Sequence, residues 1–237
     1  MKNLWLAAIL SLPLASVADT SKVNGSITVT TDQPGEGVST VNGSIRVEDG
    51  IKTGDVESVN GSITIGRNAA VEGLDTVNGG IRLGDGASAK AMETVNGSLT
   101  LGEGSRVSGD VSAVNGSLVL DRSAEVGGQL SNVNGKMRLD RARVGGGIET
   151  TNGDIEVGAG SEVKGGIHVE RPSFSWFKSS KRKPRIVIGP DAVVEGTLKF
   201  EQEVELYVSD RARIGPVEGA TAVKFSGDSP SDQPVER

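Results

Sequence analysis

The sequence predicts an all-β protein, a single-stranded parallel β-helix (β-solenoid) with three short strands in each turn of about 18 residues and roughly 11 turns in all. Three observations predict it: a repeat of 18 or 19 residues, a finer six-residue spacing of aliphatic side chains, and an unusual composition. Glycine contributes 34 of the 237 residues and aromatics only 3%. A conventional core of this length relies on large aromatic side chains, whereas small aliphatics suit narrow stacked strands.

The longer repeat is marked by Asn-Gly, usually within Val-Asn-Gly-Ser-Ile. Its asparagines are Asn24, Asn42, Asn60, Asn78, Asn96, Asn115, Asn134 and Asn152. Stacked in register, their side-chain amides are expected to form a hydrogen-bonded ladder, and the following glycine to permit a positive φ at a corner. Five of them also head an Asn-Gly-Ser glycosylation sequence. That sequence lapses at Asn78, Asn134 and Asn152, where Asn-Gly persists, which favours the structural interpretation.

The finer repeat places an aliphatic residue every six positions, and we expect these residues to point inward. One series is Val59, Ile65, Val71, Val77, Leu83, Ala89, Val95, Leu101 and Val107, and a second is Ala69, Ile81, Ala87, Leu99, Ser105 and Val111. Burying about five aliphatics per turn gains on the order of 10 kcal/mol, most of which the entropy of ordering offsets. Stability is therefore expected to accumulate from turn to turn.

The chain divides into five predicted segments. Residues 1–18 have the basic start, apolar run and small-residue end of a secretory signal peptide, which predicts export to the periplasm or surface of a bacterium. Residues 19–169 carry the solenoid repeats, 170–185 form an inserted loop rich in aromatic and basic residues, and 186–225 resume the solenoid and cap it. Residues 226–237 read as a disordered tail.

The composition excludes several classes of chemistry. Cysteine is absent and His168 is the single histidine, which excludes disulfides, thiolate metal sites and multi-histidine metal centres. The net charge of −6 argues against nonspecific nucleic-acid binding. Asp85 and Glu103 adjoin on successive turns, but two carboxylates are a weak calcium signal. We therefore expect no catalytic residue, metal or cofactor, and no enzymatic activity; His168 is expected to be an exposed strand residue.

The inserted loop is the strongest departure from the repeat. Its aromatic and basic residues are Phe174, Trp176, Phe177, Lys178, Lys181, Arg182, Lys183 and Arg185. In an exported protein, such a loop is suited to contact an anionic membrane surface or an envelope glycan. The alternative is that the rings fold back over the solenoid while the cations stay solvated.

Segments 65–73 (IGRNAAVEG), 157–165 (VGAGSEVKG) and 188–196 (IGPDAVVEG) resemble turns of bactofilins, polymer-forming bacterial β-helix proteins. The Val-Asn-Gly-Ser-Ile repeats resemble exported adhesin-type β-solenoid domains. These resemblances cover about residues 21–219, and the first implies end-to-end filaments and a scaffolding role in the envelope. Similar hexads occur in acyltransferases and γ-type carbonic anhydrases, but the latter need three zinc-binding histidines.

The sequence thus predicts a non-enzymatic, exported, structural or adhesin-like element of the bacterial cell envelope. It is expected to associate end to end as a homo-oligomer or filament through its terminal strands. The alternative function is a carbohydrate-binding or carbohydrate-active β-helix that acts on an anionic polysaccharide. Expected partners are therefore further copies of the chain, an envelope glycan or a membrane surface, and not nucleic acid.

Overall fold

The computed structural model describes residues 20–172 and 182–230, and over these ranges it confirms the predicted fold class. All regular structure there is β: 29 strands form three parallel sheets that run the length of the molecule. Two sheets have 11 strands, one from each turn, and the third has seven. At about 4.8 Å per strand, 11 turns make a rod about 50 Å long. No helix in these ranges is long and apolar enough to cross a membrane.

The strands are numbered in chain order, and each sheet takes one strand from each successive turn. Sheet 1 contains β1 (Thr20–Asn24), β3 (Val38–Asn42), β5 (Val56–Asn60), β7 (Gly73–Asn78), β10 (Ala91–Asn96), β13 (Val111–Asn115), β16 (Leu130–Asn134), β19 (Ile148–Thr150), β22 (Ile167–Val169), β25 (Leu198–Phe200) and β28 (Val217–Glu218). Sheet 2 contains β2 (Ile27–Val29), β4 (Ile45–Val47), β6 (Ile63–Ile65), β8 (Ile81–Leu83), β11 (Leu99–Leu101), β14 (Leu118–Leu120), β17 (Lys136–Leu139), β20 (Asp154–Val157), β23 (Arg185–Ile188), β26 (Glu205–Ser209) and β29 (Ala222–Phe225).

Sheet 3 has the fewest strands, and each of them has only two residues. It contains β9 (Ser88–Ala89), β12 (Arg106–Val107), β15 (Glu125–Val126), β18 (Arg143–Val144), β21 (Glu162–Val163), β24 (Val193–Val194) and β27 (Arg213–Ile214). Single bridges from Gln33 to Thr53, Lys52 to Ala70 and Ala70 to Ser88 continue the same ladder through the earlier turns.

The core is a continuous aliphatic column between the three sheets. Along sheet 2, the inward residues Ile45, Ile63, Ile81 and Leu99 stack directly above one another and are almost fully buried. Both predicted inward series are buried, with one exception at the Asn-Gly corner. The column has no break in register, so each turn shields the apolar surface of the next from water.

The exception is the valine of Val-Asn-Gly, which the six-residue spacing placed inside. Val59, Val77 and Val95 instead lie half-buried on the outer surface of sheet 1. The preceding residues, Ser58, Thr76 and Thr94, point inward and are buried; their hydroxyls donate to the carbonyl oxygens of Gly43, Gly61 and Gly79 at 3.0–3.1 Å. A buried carbonyl without a donor is costly, which explains why a polar residue occupies this core position.

The expected reason for the glycine of Asn-Gly was also wrong at most positions. Only Gly25 and Gly135 of the eight have a positive φ. A Cβ on Gly61 would stand 1.9 Å from the carbonyl oxygen of Gly43, and one on Gly97 would stand 1.9 Å from that of Gly79. Glycine is therefore required at this corner by the close approach of successive turns. Left-handed residues occupy a different corner, between sheets 2 and 3, at Gly50, Asn68, Gly86, Gly104, Ser123, Arg141, Gly160 and Asp191.

The predicted tail begins at residue 226, and its first five residues are described. The Ser226 hydroxyl donates to Asp210 at 2.8 Å, and Asp228, Ser229 and Pro230 line a groove beside strand β23. Residues 231–237 of the tail, residues 1–19, which contain the predicted signal peptide, and residues 173–181 lie outside the described residues.

Candidate functional site

The eight asparagines form one ladder along the exposed corner between sheets 1 and 2. The Nδ2 of each asparagine after Asn24 donates to the Oδ1 of the asparagine one turn earlier, at distances of 2.9–3.1 Å over seven hydrogen bonds. Parallel register creates the ladder, because it aligns the asparagines of successive turns. Each of these amides is engaged by its neighbours along the ladder, so the geometry suits a structural role.

The inserted loop is described only in part. Phe174, Trp176, Phe177, Lys178 and Lys181 lie outside the described residues, so their predicted contact with a membrane or glycan stays a prediction.

The three remaining basic residues lie where the chain rejoins the solenoid, and Arg185, predicted as the last loop residue, is the first residue of strand β23. Arg182 forms an ion pair with Asp154, and Lys183 forms one with Glu203 at 2.8 Å. The guanidinium of Arg185 lies over the ring of Tyr207, 5.1 Å from its centroid. These contacts favour the interpretation in which this end of the loop packs on the rod.

The outer surface of sheet 2 carries arginine and threonine in alternation. Arg46 and Arg82 are exposed, and neither forms an ion pair with any part of the chain that the structure describes. They are two rungs apart, about 10 Å, and the residues between and beside them are the hydroxyl-bearing Thr28, Thr64 and Thr100. This surface, which we call the arginine–threonine face, offers guanidinium and hydroxyl groups to a ligand.

Carboxylates stack on the outer surface of sheet 1. Glu57, Asp75 and Glu93 occupy the same column on three successive turns. Burial is the largest cause that raises the pKa of Asp75, and the negative charges of Glu93, Glu57 and Asp55 add to it. Together they raise this pKa to about 7. Burial likewise raises the pKa of Glu57 and of Glu93. The column is therefore an electrostatic cost to the fold at neutral pH.

A second cluster of titratable side chains surrounds the single histidine, on strands of sheet 1 nearer the C-terminus of the chain. His168 is half-buried on strand β22, its Nε2 is 3.2 Å from the Oε1 of Glu201, and Glu149 is its register partner on β19. One ligand atom from each of Glu149, His168 and Glu170 lies within 4.8 Å of those of the other two. We call these three residues the Glu-His-Glu cluster. The expectation that His168 is a simple exposed residue missed it.

The positive charges near the Glu-His-Glu cluster in the described ranges form hydrogen bonds with Glu201 and not with the carboxylates of the cluster. Hydrogen bonds from Lys199 and then from His168 lower the pKa of Glu201 to about 2. Burial raises the pKa of Glu170, and a hydrogen bond with Glu149 raises it further. Lys199 donates to Glu201 at 2.8 Å, and it also interacts electrostatically with Glu170 without forming an ion pair with it.

A shallow open depression of about 550 Å³ adjoins the Glu-His-Glu cluster. Besides Glu149 and His168, its lining includes Gly147, Gly166, Gln129, Thr197 and Lys199. A Cβ on Gly166 would stand 2.0 Å from the carbonyl oxygen of Thr197, so tight stacking of the turns excludes a side chain there. The depression leaves space beside two members of the cluster, Glu149 and His168.

A faint sequence signal for the cluster does exist. Adding one 19-residue period to Glu149 gives His168, which predicts that they are vertical neighbours. Glu170 follows two positions later and returns to the same face of the strand. Glu201, however, is separated from His168 by the inserted loop, and no constant period connects them.

Comparisons with known proteins supply no relative for this chain. No family model matches it, and no curated protein or solved structure matches it either. The solenoid architecture that the resemblances implied is present, but membership of the bactofilins or of the adhesin-type domains is not supported.

Proposed function

We propose that the protein is a non-enzymatic, exported structural element of the bacterial cell envelope that assembles end to end into oligomers or filaments. The observation that carries the proposal is the state of the two terminal turns. Strands β1 and β2 end their sheets at one extremity and β28 and β29 at the other, and none pairs on its outer edge with another described strand. The unpaired strand edges at the two ends come from turns of the same triangular cross-section. The first turn of one copy can therefore pair with the last turn of another.

The first turn is built in a way that suits such pairing. Val23 on β1 is 68% exposed, the most exposed large hydrophobic residue in the described ranges. The amide of Ile27 donates inward along the stack to Ser44, at 3.0 Å. Because donors alternate in a parallel ladder, the amide of Thr28 points to the open side, where an incoming strand would accept it.

The test blocks that edge without disturbing the fold. Thr28→Pro removes the outward amide, whereas the matched control Thr28→Val keeps it on a strand-compatible residue. Light scattering and electron microscopy of the purified protein over a concentration series should show oligomers or rods for wild type and Thr28→Val, and shorter species for Thr28→Pro. Strict monomers of wild-type protein at all concentrations would refute the assembly proposal.

The arginine–threonine face favours a second candidate, the binding of an anionic polysaccharide. Arg46 and Arg82 are spaced along the rod, and an anionic polysaccharide likewise carries acidic groups at regular intervals along its length. Guanidinium groups bind carboxylates with directional hydrogen bonds. Polygalacturonate is a suitable probe. The double variant Arg46→Gln/Arg82→Gln should weaken binding at least tenfold at low salt, whereas Arg143→Gln, whose arginine is paired with Glu125 at 3.5 Å, should leave it unchanged. Equal binding by both variants would exclude this face.

Export itself is tested separately. Fractionation of cells that express the full chain should place the protein outside the cytoplasm, with residues 1–18 removed. Cytoplasmic retention of an uncleaved chain would contradict the proposed location without bearing on assembly.

A further inference from the structure

The Glu-His-Glu cluster has the composition of a metal site. Glu149 and His168 project from adjacent rungs of sheet 1, and Glu170 comes from the end of the same turn as His168. The three ligand atoms lie within 4.8 Å of one another, and a common ion at about 2.0–2.2 Å from each requires only a modest further approach of side chains. The pairing of β19 with β22 sets the backbone spacing of Glu149 and His168, and Glu170 directly follows β22.

The charges at the cluster favour a cation. Among the residues in the described ranges, Lys199 and His168 both direct their hydrogen bonds to Glu201, at 2.8 and 3.2 Å. Glu149 and Glu170 are left in contact with each other, and Gln129, which donates to Glu149, brings no charge. Neither carboxylate forms an ion pair with a lysine or arginine among those residues. A divalent ion between them would relieve their repulsion.

We propose that Glu149, His168 and Glu170 bind one Zn²⁺ ion on the outer surface of sheet 1. An imidazole with two carboxylates is a nitrogen and oxygen donor set that suits zinc, whereas Ca²⁺ and Mg²⁺ prefer oxygen donors alone. Three protein ligands leave a fourth position for water or a donor group of a ligand, and two of the three ligands, Glu149 and His168, line the open depression beside the cluster.

Glu201 is placed to orient the imidazole. A metal-binding histidine commonly uses its second ring nitrogen to contact a carboxylate, which fixes the ring orientation. Glu201 makes such a contact with His168 and is itself held by Lys199. It is therefore a positioning residue, and its removal should weaken binding less than removal of a ligand.

Zinc titration of the purified, untagged protein tests the site. The absence of a histidine tag matters because His168 is the only histidine of the chain. Calorimetry with ZnCl₂ should give one ion per chain. His168→Gln and Glu170→Gln should each lower the affinity at least tenfold, and Glu201→Gln should lower it by a smaller factor. The matched control is Glu103→Gln, an exposed carboxylate on another face, which should bind zinc as wild type does.

Two further measurements keep the result interpretable. Circular dichroism verifies that each variant is folded, and Co²⁺ in place of Zn²⁺ should give visible absorption bands that are absent in His168→Gln. Lack of saturable zinc binding by wild-type protein would overturn the proposal. Binding that survives His168→Gln, or that Ca²⁺ matches in affinity, would also overturn it, since the site would then be a nonspecific acidic surface. The cluster lies two rungs from the terminal strand β28, so light scattering recorded during the titration separates zinc binding from end-to-end assembly.

Discussion

At the scale of single residues, glycine serves two different requirements in this rod. At the Asn-Gly corner, successive turns approach so closely that the Cβ of any other residue would overlap a carbonyl oxygen, as at Gly61. At the corner between sheets 2 and 3 the space is open, and a residue such as Gly104 is favoured by its positive φ of 66°. The first is a packing constraint and the second a backbone one.

These two causes predict different costs for the same substitution. Gly61→Ala should destabilise the protein by about 3 kcal/mol or more, because two backbones must separate to admit the methyl group. Gly104→Ala should cost only about 1 kcal/mol, the strain of a left-handed conformation. Denaturant unfolding monitored by circular dichroism measures both. Equal effects of the two substitutions would contradict the distinction.

At the scale of elements, stacking turns a single residue type into a column whose members interact. The asparagine ladder and the buried hydroxyls at the same corner are favourable columns, since each donor finds an acceptor one turn earlier. The column of Glu57, Asp75 and Glu93 is unfavourable, because like charges recur at the strand spacing. The same register therefore produces both effects.

The asparagine ladder should contribute more in its middle than at its end. Asn78→Ala removes two ladder hydrogen bonds, to Asn60 and from Asn96, and should cost about 1 to 2 kcal/mol. Asn24→Ala removes only the bond from Asn42 and should cost less than about 1 kcal/mol. Thermal and urea unfolding of the two variants provide the comparison. A larger loss for Asn24→Ala would argue against a cooperative ladder.

The acidic column should make the fold less stable as the pH rises. The pKa of Asp75 is about 7 in the folded protein against an ordinary 3.8, so between these values the folded state binds a proton that the unfolded chain has lost. This contribution is absent below about pH 4 and fully destabilising above about pH 7.

Asp75→Asn tests the pH dependence. The variant should be more stable than wild type at pH 8, by on the order of 1 to 2 kcal/mol once solvent screening is allowed for, and much closer to it at pH 4. Urea unfolding at the two pH values measures the effect. The exposed Glu103→Gln serves as control and should show no such difference. A pH-independent effect of Asp75→Asn would assign its benefit to packing.

At the scale of the whole molecule, the rod is a one-dimensional stack in which each turn is supported by its neighbours. Interior turns have two neighbours and the terminal turns have one, so stability should decrease toward the ends. Such a molecule has no single central core, and local opening is expected to begin at its extremities.

A matched pair of core substitutions measures this gradient. Ile27 and Ile81 occupy the same inward column of sheet 2, at 5% and 2% exposure, in the first and fourth turns. Ile81→Ala should cost about 3 to 4 kcal/mol and Ile27→Ala about half of that, because the end turn opens with less of the stack attached. Hydrogen exchange by mass spectrometry should likewise show the greatest protection in the central turns. Uniform protection would contradict the model of additive turns.

The sequence alone determined the architecture, because the 18-residue period is a covalent property that fixes which residues stack. The Asn-Gly repeat, the aliphatic spacing and the small aliphatic composition were sufficient for the class, the number of turns and most of the core. Parallel stacking requires only that each turn repeat the previous one, so local information suffices.

Only the tertiary structure decided which side chains face inward at the Asn-Gly corner and which outer groups meet. Ser58 and Val59 exchange their expected sides because a buried glycine carbonyl needs a hydroxyl donor, which no hydrophobicity pattern records. His168 meets Glu201 across the inserted loop, where the period is interrupted and sequence separation no longer gives the register. The physical reason is that a solenoid's core follows its period, whereas contacts on its surface depend on the positions that insertions displace.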